Sequence, residues 1–504
     1  MREAKNFFSK GQVLPIIRIT KAVLDNFKNV EHGEITFYCG KQFVPYNTES
    51  DILGIYGQNG SGKTAFIEAL AILQDLMSGK KLSDKFVDCI ALGKDFAKLE
   101  FTFELQYPDK NKTVRTAIYS FCLKAQKKND TKNEIESNIF NNINTNEISS
   151  EESYDHFEGI LDTKNADKVL VFNEVLYLVD SSPKKKQKKQ KIIDTSSTLV
   201  PFIPHTQRKK LAGQKSDSVL DLAKRFASEN SMSFIFFHET LAIFEKKQKK
   251  QIALEVLAEL RFYAKYYIYV VSTRSSGLIR LNVVLPLYTR FGEIPIKLDK
   301  PMNFPKPILE ILKKCVHNIN IVLEQLIPGL TIDVKELKET LIKIKHEKKP
   351  VKAVSAMLVT RKGDIELPLR YESDGIKKTI SILNLIITVF NSKSFTLAID
   401  EFDAGIFEYL LGEILQVMEE YGKGQFIFTS HNLRPLEVIN RKFLCFTTTD
   451  PKERYVRLKK IAETNNLRDT YFRKIMFADP DQALYKGTKQ FKIIEALSKA
   501  DEGE

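Results

Sequence analysis

Few octapeptides restrict a fold as strongly as Gly57-Gln58-Asn59-Gly60-Ser61-Gly62-Lys63-Thr64. It satisfies G-x-x-x-x-G-K-[ST] and lies between two informative flanks. Residues 52–56 are an apolar, β-branched run that reads as a strand. Over residues 64–77, Phe66, Ile67, Leu70, Ile72, Leu73 and Leu76 recur at helical spacing. Strand, glycine loop and helix in this order form a phosphate cradle. Glycines let the backbone curl so that successive N–H groups point at phosphate oxygens, and the helix start adds a favourable partial charge. In such a loop Lys63 reaches the β- and γ-phosphates and Thr64 places its hydroxyl on a metal, so ATP and Mg²⁺ are the expected ligands. A chance glycine-rich turn is the bland alternative, but all four fixed positions and both flanks are present.

A cradle alone does not hydrolyse anything, and the rest of the chemistry has to come from elsewhere in the chain. Residues 395–399 form an apolar strand pattern that ends in Asp400-Glu401. Asp400 is placed to hold Mg²⁺ through water, and Glu401 to orient or deprotonate the attacking water. An isolated Asp-Glu after a strand is usually only a solvated strand end; its neighbours give it weight. Residues 425–429 are a second buried strand pattern, leading through Ser430 to His431, where a polar contact to the γ-phosphate or the attacking water is needed. Upstream, Ser373-Asp374-Gly375 stands just before a helical pattern over residues 375–390. A serine hydroxyl with free helix-start N–H groups makes an anion site, although by itself it is an ordinary N-cap.

The chain has 504 residues with a formal net charge of +13, 43% hydrophobic and 28% charged residues, enough apolar side chains for real cores and about three structural units. No apolar run approaches the ~20 residues that span a bilayer, and no signal-peptide pattern is present, so no membrane is expected and the cytoplasm is the expected compartment. Five scattered cysteines form no C-x-x-C pair, against both a zinc knuckle and a disulfide framework. The positive balance favours a polyanionic partner such as DNA. Residues 181–250 carry sixteen Lys and Arg against six acids, with Lys184, Lys185, Lys186, Lys188, Lys189 and Lys191 in one run expected to be a loop and a candidate nucleic-acid contact. Residues 129–159 carry eight acids against one Lys and read as a mobile insertion.

The ordered set resembles ABC-type ATPase heads, with Ser373-Asp374-Gly375 in the place of the signature motif. Lys63 and Asp400 are 337 residues apart, too far for a compact P-loop core, and this resembles the SMC and RecF branch, in which a large insertion splits the head. The phrases Tyr56-Gly57-Gln58-Asn59-Gly60-Ser61-Gly62-Lys63-Thr64, Ile399-Asp400-Glu401-Phe402-Asp403 and Phe428-Thr429-Ser430-His431-Asn432 look most like the OLD-like ATPases of bacterial antiphage systems. The resemblance covers roughly residues 12–123 and 350–460. It implies an α/β fold: an ABC-type P-loop ATPase head split by a large mixed α+β insertion. The expected division is 1–128 and 350–460 for the head, 129–349 for the insertion and 461–504 for a helical tail. It further implies a homodimer or higher oligomer in which two heads sandwich two ATP molecules. Ser373 and Gly375 of one copy then complete the site of the other, with Asp403 and Ala404 at the D-loop that reaches across the dimer. Gln106, at a strand end, is the one candidate for the family's Q-loop glutamine. Gly405-Ile406-Phe407-Glu408 replaces the usual acidic-His segment after the second carboxylate.

OLD nucleases add a C-terminal TOPRIM domain, but only 73 residues follow His431, too few for one. Asp479-Pro480-Asp481 has metal-site spacing yet reads as a turn. The functional expectation is therefore an ATP-hydrolysing regulatory ATPase, the sensor component of an antiphage system controlling a separate effector protein. The alternative is a RecF-like DNA repair ATPase.

Overall fold

The computed structural model describes residues 14–37, 51–108, 113–126, 168–180, 188–213, 217–245, 251–271, 284–289, 292–298, 300–342 and 350–457, with isolated positions beyond. Its strands in chain order are β1 (Ile16–Phe27), β2 (Val30–Thr36), β3 (Asp51–Tyr56), β4 (Ala97–Gln106), β5 (Val114–Gln126), β6 (Lys168–Asp180), β7 (Lys188–Asp194), β8 (Ile268–Val271), β9 (Val284–Thr289), β10 (Gly292–Lys297), β11 (Met302–Pro305), β12 (Leu330–Ile342), β13 (Val351–Lys362), β14 (Ile365–Pro368), β15 (Thr396–Ile399), β16 (Gln425–Thr429), β17 (Leu444–Thr447) and β18 (Tyr455–Val456). The helices are α1 (Lys63–Ser78), α2 (His205–Leu211), α3 (Asp217–Glu229), α4 (His238–Glu245), α5 (Ile252–Tyr266), α6 (Lys306–Leu326), α7 (Asp374–Asn391), α8 (Glu408–Tyr421) and α9 (Pro435–Val438).

Two six-stranded sheets organise the molecule. One is antiparallel, in the order β2-β1-β4-β5-β6-β7; the other runs β18-β17-β3-β16-β15-β8. In the second, β17, β3, β16, β15 and β8 are parallel and β18 is an antiparallel edge. The sequence dictates the difference. β4 alternates, with Leu99, Phe101, Phe103 and Leu105 buried and Lys98, Glu100, Thr102 and Glu104 on the other face. β3, β15 and β16 are buried throughout, as strands covered on both faces must be.

Helix α1 lies between the sheets. Phe66, Leu70 and Leu73 share one core with Leu53, Ile55, Ala398 and Ile427 of the parallel sheet and with Leu24 and Phe101 of the antiparallel one. Ile52, Tyr56, Ile399, Phe426 and Phe428 point the other way, into a second core with α7 and α8. A third core joins α6 to the small sheet β11-β13-β12 and takes Ile380 and Leu383 from α7. Because Ile382, Leu385, Ile386 and Val389 lie in the second core, α7 is clamped on two sides.

Residues 168–271, expected inside the insertion, lay strands on both sheets. β6 and β7 extend the antiparallel sheet beyond β5, and β8 pairs in parallel with β15. Each covers an edge whose backbone groups would otherwise lack partners. Strands β12 and β13 form a long antiparallel hairpin, and β14 pairs with β13. The basic run differs from expectation as well: Lys188–Lys191 belong to strand β7, not a loop, and Lys184 to Lys186 lie outside the described residues, as does the acidic stretch 129–159. Charged side chains on an edge strand discourage further strand pairing, so a lysine-rich run can be extended there.

Candidate functional site

The phosphate loop leaves the C-terminal end of β3 and enters α1 at Lys63. Gly60 and Gly62 have φ of 75° and 102°, the left-handed region that glycine tolerates. A Cβ on Gly57 would lie 1.7 Å from Thr447 Oγ1, so the neighbouring strand already fills that space. The loop is braced from behind. Ser61 Oγ donates to Gln58 O at 2.5 Å and also meets Thr447 Oγ1, which donates to Tyr56 O at 3.2 Å. Tyr455 OH donates to Gly62 O at 2.8 Å, and the Asn29 amide, from the β1–β2 turn, donates to Gly60 O.

Several details suit a bound polyphosphate. No side chain caps the start of α1 and no acid stands in its first turn, which leaves the positive end of the helix to an anion. Around Gly60 the space is open. Lys63 is 6% exposed and folds back to donate to Gly57 O at 2.8 Å and Gln58 O at 3.1 Å. Burial pushes its pKa down to about 8 against the pull of Asp400, Glu401 and Asp403. An ammonium held by carbonyls at that desolvation is primed for stronger acceptors.

The carboxylates arrive from β15. Asp400 is 1% exposed; its Oδ1 accepts from Thr429 Oγ1 at 2.6 Å and from Thr64 Oγ1 at 3.4 Å. Thr429 Oγ1 in turn accepts from Glu401 N at 2.8 Å, so one hydroxyl at the end of β16 fixes both strand-end residues. Glu401 adopts φ of 49°, a left-handed conformation that costs a non-glycine residue about 1 kcal/mol or more. Among the described residues no group of three or more His, Cys, Asp or Glu could hold a metal by itself. Thr64 and Asp400 fit Mg²⁺ of the kind that draws its other ligands from phosphate and water.

His431 is exposed, one residue beyond Ser430. Its N–H and that of Asn432 donate to Asp403 Oδ2 at 3.1 and 2.9 Å, tying the end of β16 to the turn after Glu401. Partial burial, and next the Lys63 ammonium, hold its pKa below the usual value. Ser373 is exposed and caps α7, accepting from Ile376 N at 3.4 Å. A Cβ on Gly375 would meet Gly405 O at 2.8 Å. Ser373 and Gly375 thus join the set through the turn that follows Glu401, rather than through the phosphate loop.

A model of the AAA ATPase domain matches residues 18–434, more than four-fifths of the chain. The chain belongs to the AAA ATPase domain family. Among solved structures, this ATPase is similar to an SMC head bound to the C-terminal winged-helix domain of ScpA, with 12% identity over 88% of this chain and 99% of that one and a TM-score of 0.39. It is similar also to the SMC head domain from Thermotoga maritima, with 14% identity, the same coverages and a TM-score of 0.35. The recombination mediator RecF with ATP matches at 12% identity over 83% and 93% of the two chains, with a TM-score of 0.32. No curated protein matches. Among the described residues of the ATPase, no helix is long and apolar enough to cross a membrane.

Other sequence candidates of the ATPase lie away from this network. Gln106 ends β4, paired with Ile16 and Val114, and its buried Nε2 has no hydrogen-bond partner among the described residues. Lys189 and Lys191 place their ammonium groups 4.2 and 5.7 Å from the centre of the Tyr177 ring, and Lys191 also pairs with Asp194 at 2.7 Å. Sequence reasoning overlooked Thr429, Thr447, Tyr455, Asn29 and the buried Lys378. Thr429 and Thr447 carried a signal, a hydroxyl at the end of a mostly apolar strand; the others act through contacts that local pattern does not display.

Proposed function

We propose that this ATPase binds ATP with Mg²⁺ at the C-terminal ends of its parallel strands and hydrolyses it as a dimer of heads. The observation that carries the reading is the Thr429 hydroxyl, which joins Asp400 Oδ1 to Glu401 N and so fixes the Asp400 carboxylate and the Glu401 backbone, two residues with different tasks, beside Lys63 and Thr64. The loop 57–62 and the start of α1 hold the phosphates, and Lys63 exchanges its two carbonyl acceptors for phosphate oxygens. Thr64 and Asp400 hold Mg²⁺, which when bound neutralises developing phosphate charge. Glu401, free of that duty, orients or deprotonates the attacking water. His431 offers a polar contact at the same edge. Ser373 and Gly375, exposed or half-exposed at the start of α7, serve the nucleotide of a second copy.

Glu401→Gln tests the reading. Turnover should fall by about 10²-fold or more while ATP affinity is kept and ATP-dependent dimers accumulate; phosphate release at the wild-type rate would remove Glu401 from this role.

The motif phrases at residues 56–64, 399–403 and 428–432 support a cellular role as the ATP-dependent regulator of an antiphage system, acting on a separate effector. Co-expression with its genomic neighbours during phage infection should block phage or halt growth. Neither effect, together with sensitivity to DNA damage on deletion, would favour the RecF-like repair reading instead. DNA is the proposed polyanion for Lys189 and Lys191, and neutralising both should weaken binding and shallow its salt dependence. Unchanged binding at every salt concentration would remove them from a DNA surface.

A further inference from the structure

We propose that Lys378 is a positioning residue, which fastens the helix opening at Ser373 to the turn that presents Glu401. Lys378 stands in the second turn of α7 and is 4% exposed. Its ammonium donates to Glu401 O at 3.0 Å, Phe402 O at 3.4 Å and Ala404 O. All three acceptors are carbonyls of one turn, so the contact sets backbone conformation rather than pairing charge. That turn needs holding, because Glu401 sits at φ 49°. Its own backbone supplies Ala404 N to Glu401 O and Ile406 N to Asp403 O, each 3.1 Å, and Phe402 N reaches Thr429 O at 3.0 Å.

One helical turn earlier, Gly375 lies against Gly405 so closely that a Cβ would stand 2.8 Å from its carbonyl oxygen. Helix and turn therefore meet at two points on one face of α7, three residues apart. The helix behind those points is rigid, since its apolar residues lie in two cores. Ser373 at its tip is exposed and held by a long cap contact. A ligand that engages Ser373 displaces the start of α7, and Lys378 carries that displacement to the backbone of Glu401. A buried ammonium is unfavourable to keep, and burial lowers its pKa to about 8 against the pull of Asp403 and Glu401. A site whose only need was packing would be filled more favourably by methionine. The assignment of a partner's nucleotide to Ser373 and of water activation to Glu401 rests on the proposed function; the mechanical link between helix and turn does not.

The experiment is Lys378→Met in the full chain, read by amide hydrogen exchange over residues 401–406 without nucleotide, by affinity for a non-hydrolysable ATP analogue and by turnover. The expected result is exchange faster by about tenfold confined to that turn. Turnover should fall by about tenfold or more, with KM and analogue affinity within about threefold of wild type. Unchanged exchange overturns the proposal, and so does faster exchange spread equally over β15 and β16, which would mark Lys378 as general packing. Should the methionine variant not fold, Lys378→Arg decides. A protected turn with most turnover retained supports the link; a protected turn with turnover lost overturns it. Wild-type protein without any turnover would reject the proposed function while the exchange arm still tests Lys378.

Discussion

The two ends of the parallel sheet both carry buried polar side chains, yet they are built to opposite purposes. At the N-terminal ends of the strands, Gln425 Nε2 donates to Asp51 Oδ2 at 2.7 Å and to Ile19 O at 2.8 Å. Its Oε1 accepts from Thr396 Oγ1 at 3.2 Å and from Ile19 N at 3.3 Å, so every hydrogen-bonding group of the amide is used. Tyr263 OH meets Thr396 Oγ1, and Arg18 lies 3.8 Å from Asp51. This network joins β1 of the antiparallel sheet to β3, β15 and β16 and is sealed from solvent, with Asp51 Oδ1 and Arg18 Nη1 left without hydrogen-bond partners among the described residues. At the C-terminal ends, two lysines are held by backbone carbonyls, Glu401 is strained, and the start of α1 has no cap. The sealed end uses its polar groups to join the sheets. The open end keeps its groups partly committed, which is what a binding site requires.

That contrast can be broken at either end. The largest effect belongs to Lys63→Met, which should lower kcat/KM for ATP by about a thousandfold. Its melting temperature should not fall, since a desolvated ammonium is removed; equal loss of stability and activity would show the loop to be structural. Next comes Gln425→Leu at the sealed end. It leaves Asp51 and the Ile19 backbone groups short of partners, with an expected loss of roughly 2–4 kcal/mol by denaturant titration. Turnover per folded molecule should be unchanged, and a matched fall in kcat would erase the distinction between the ends.

Asp51 gives the sealed end a pH signature. Burial raises its carboxyl from 3.8 to about 6, with Arg18, the Gln425 amide and Arg457 pulling the other way. Between those values the folded chain binds the extra proton, so stability falls as pH rises from about 4 to 6, by roughly 2–3 kcal/mol. Asp51→Asn should flatten that slope, and an unchanged slope would place its origin elsewhere. The smallest effect is expected for Thr429→Val, which keeps the shape of the side chain and deletes the hydroxyl between Asp400 and Glu401. Turnover should fall by about tenfold with about 1 kcal/mol of stability. If stability alone changed, the Asp400 carboxylate and the Glu401 backbone would be fixed for turnover by something other than Thr429.

The open end was far more legible in the sequence than the sealed one. Lys63, Thr64, Asp400, Glu401 and His431 stand at strand ends or helix starts in local patterns, and local pattern is what a single sequence displays. The helix and strand positions around them follow from apolar period alone. Gln425 looked like an ordinary first residue of a strand and Asp51 fell just outside the expected strand 52–56; only the register of β16 against β3, across 374 positions of sequence, brings them together. The same holds for Thr447 behind Gly57 and for Lys378 behind Glu401. The strand at Lys188–Asp194 was hidden for a different reason: its first four residues are three lysines and a glutamine, and only Ile192, Ile193 and Asp194 at its end are buried.

Complementation between inactive variants tests the shared-site account most directly. Lys63→Met disables the phosphate loop and Ser373→Arg blocks the start of α7, and neither variant alone should release phosphate. Mixed in equal amounts they pair so that one of two composite sites keeps both elements, and turnover should return to at most roughly a quarter of wild type for random pairing. A mixture no more active than its separate components, or a Ser373→Arg protein active by itself, would contradict two heads sharing each nucleotide.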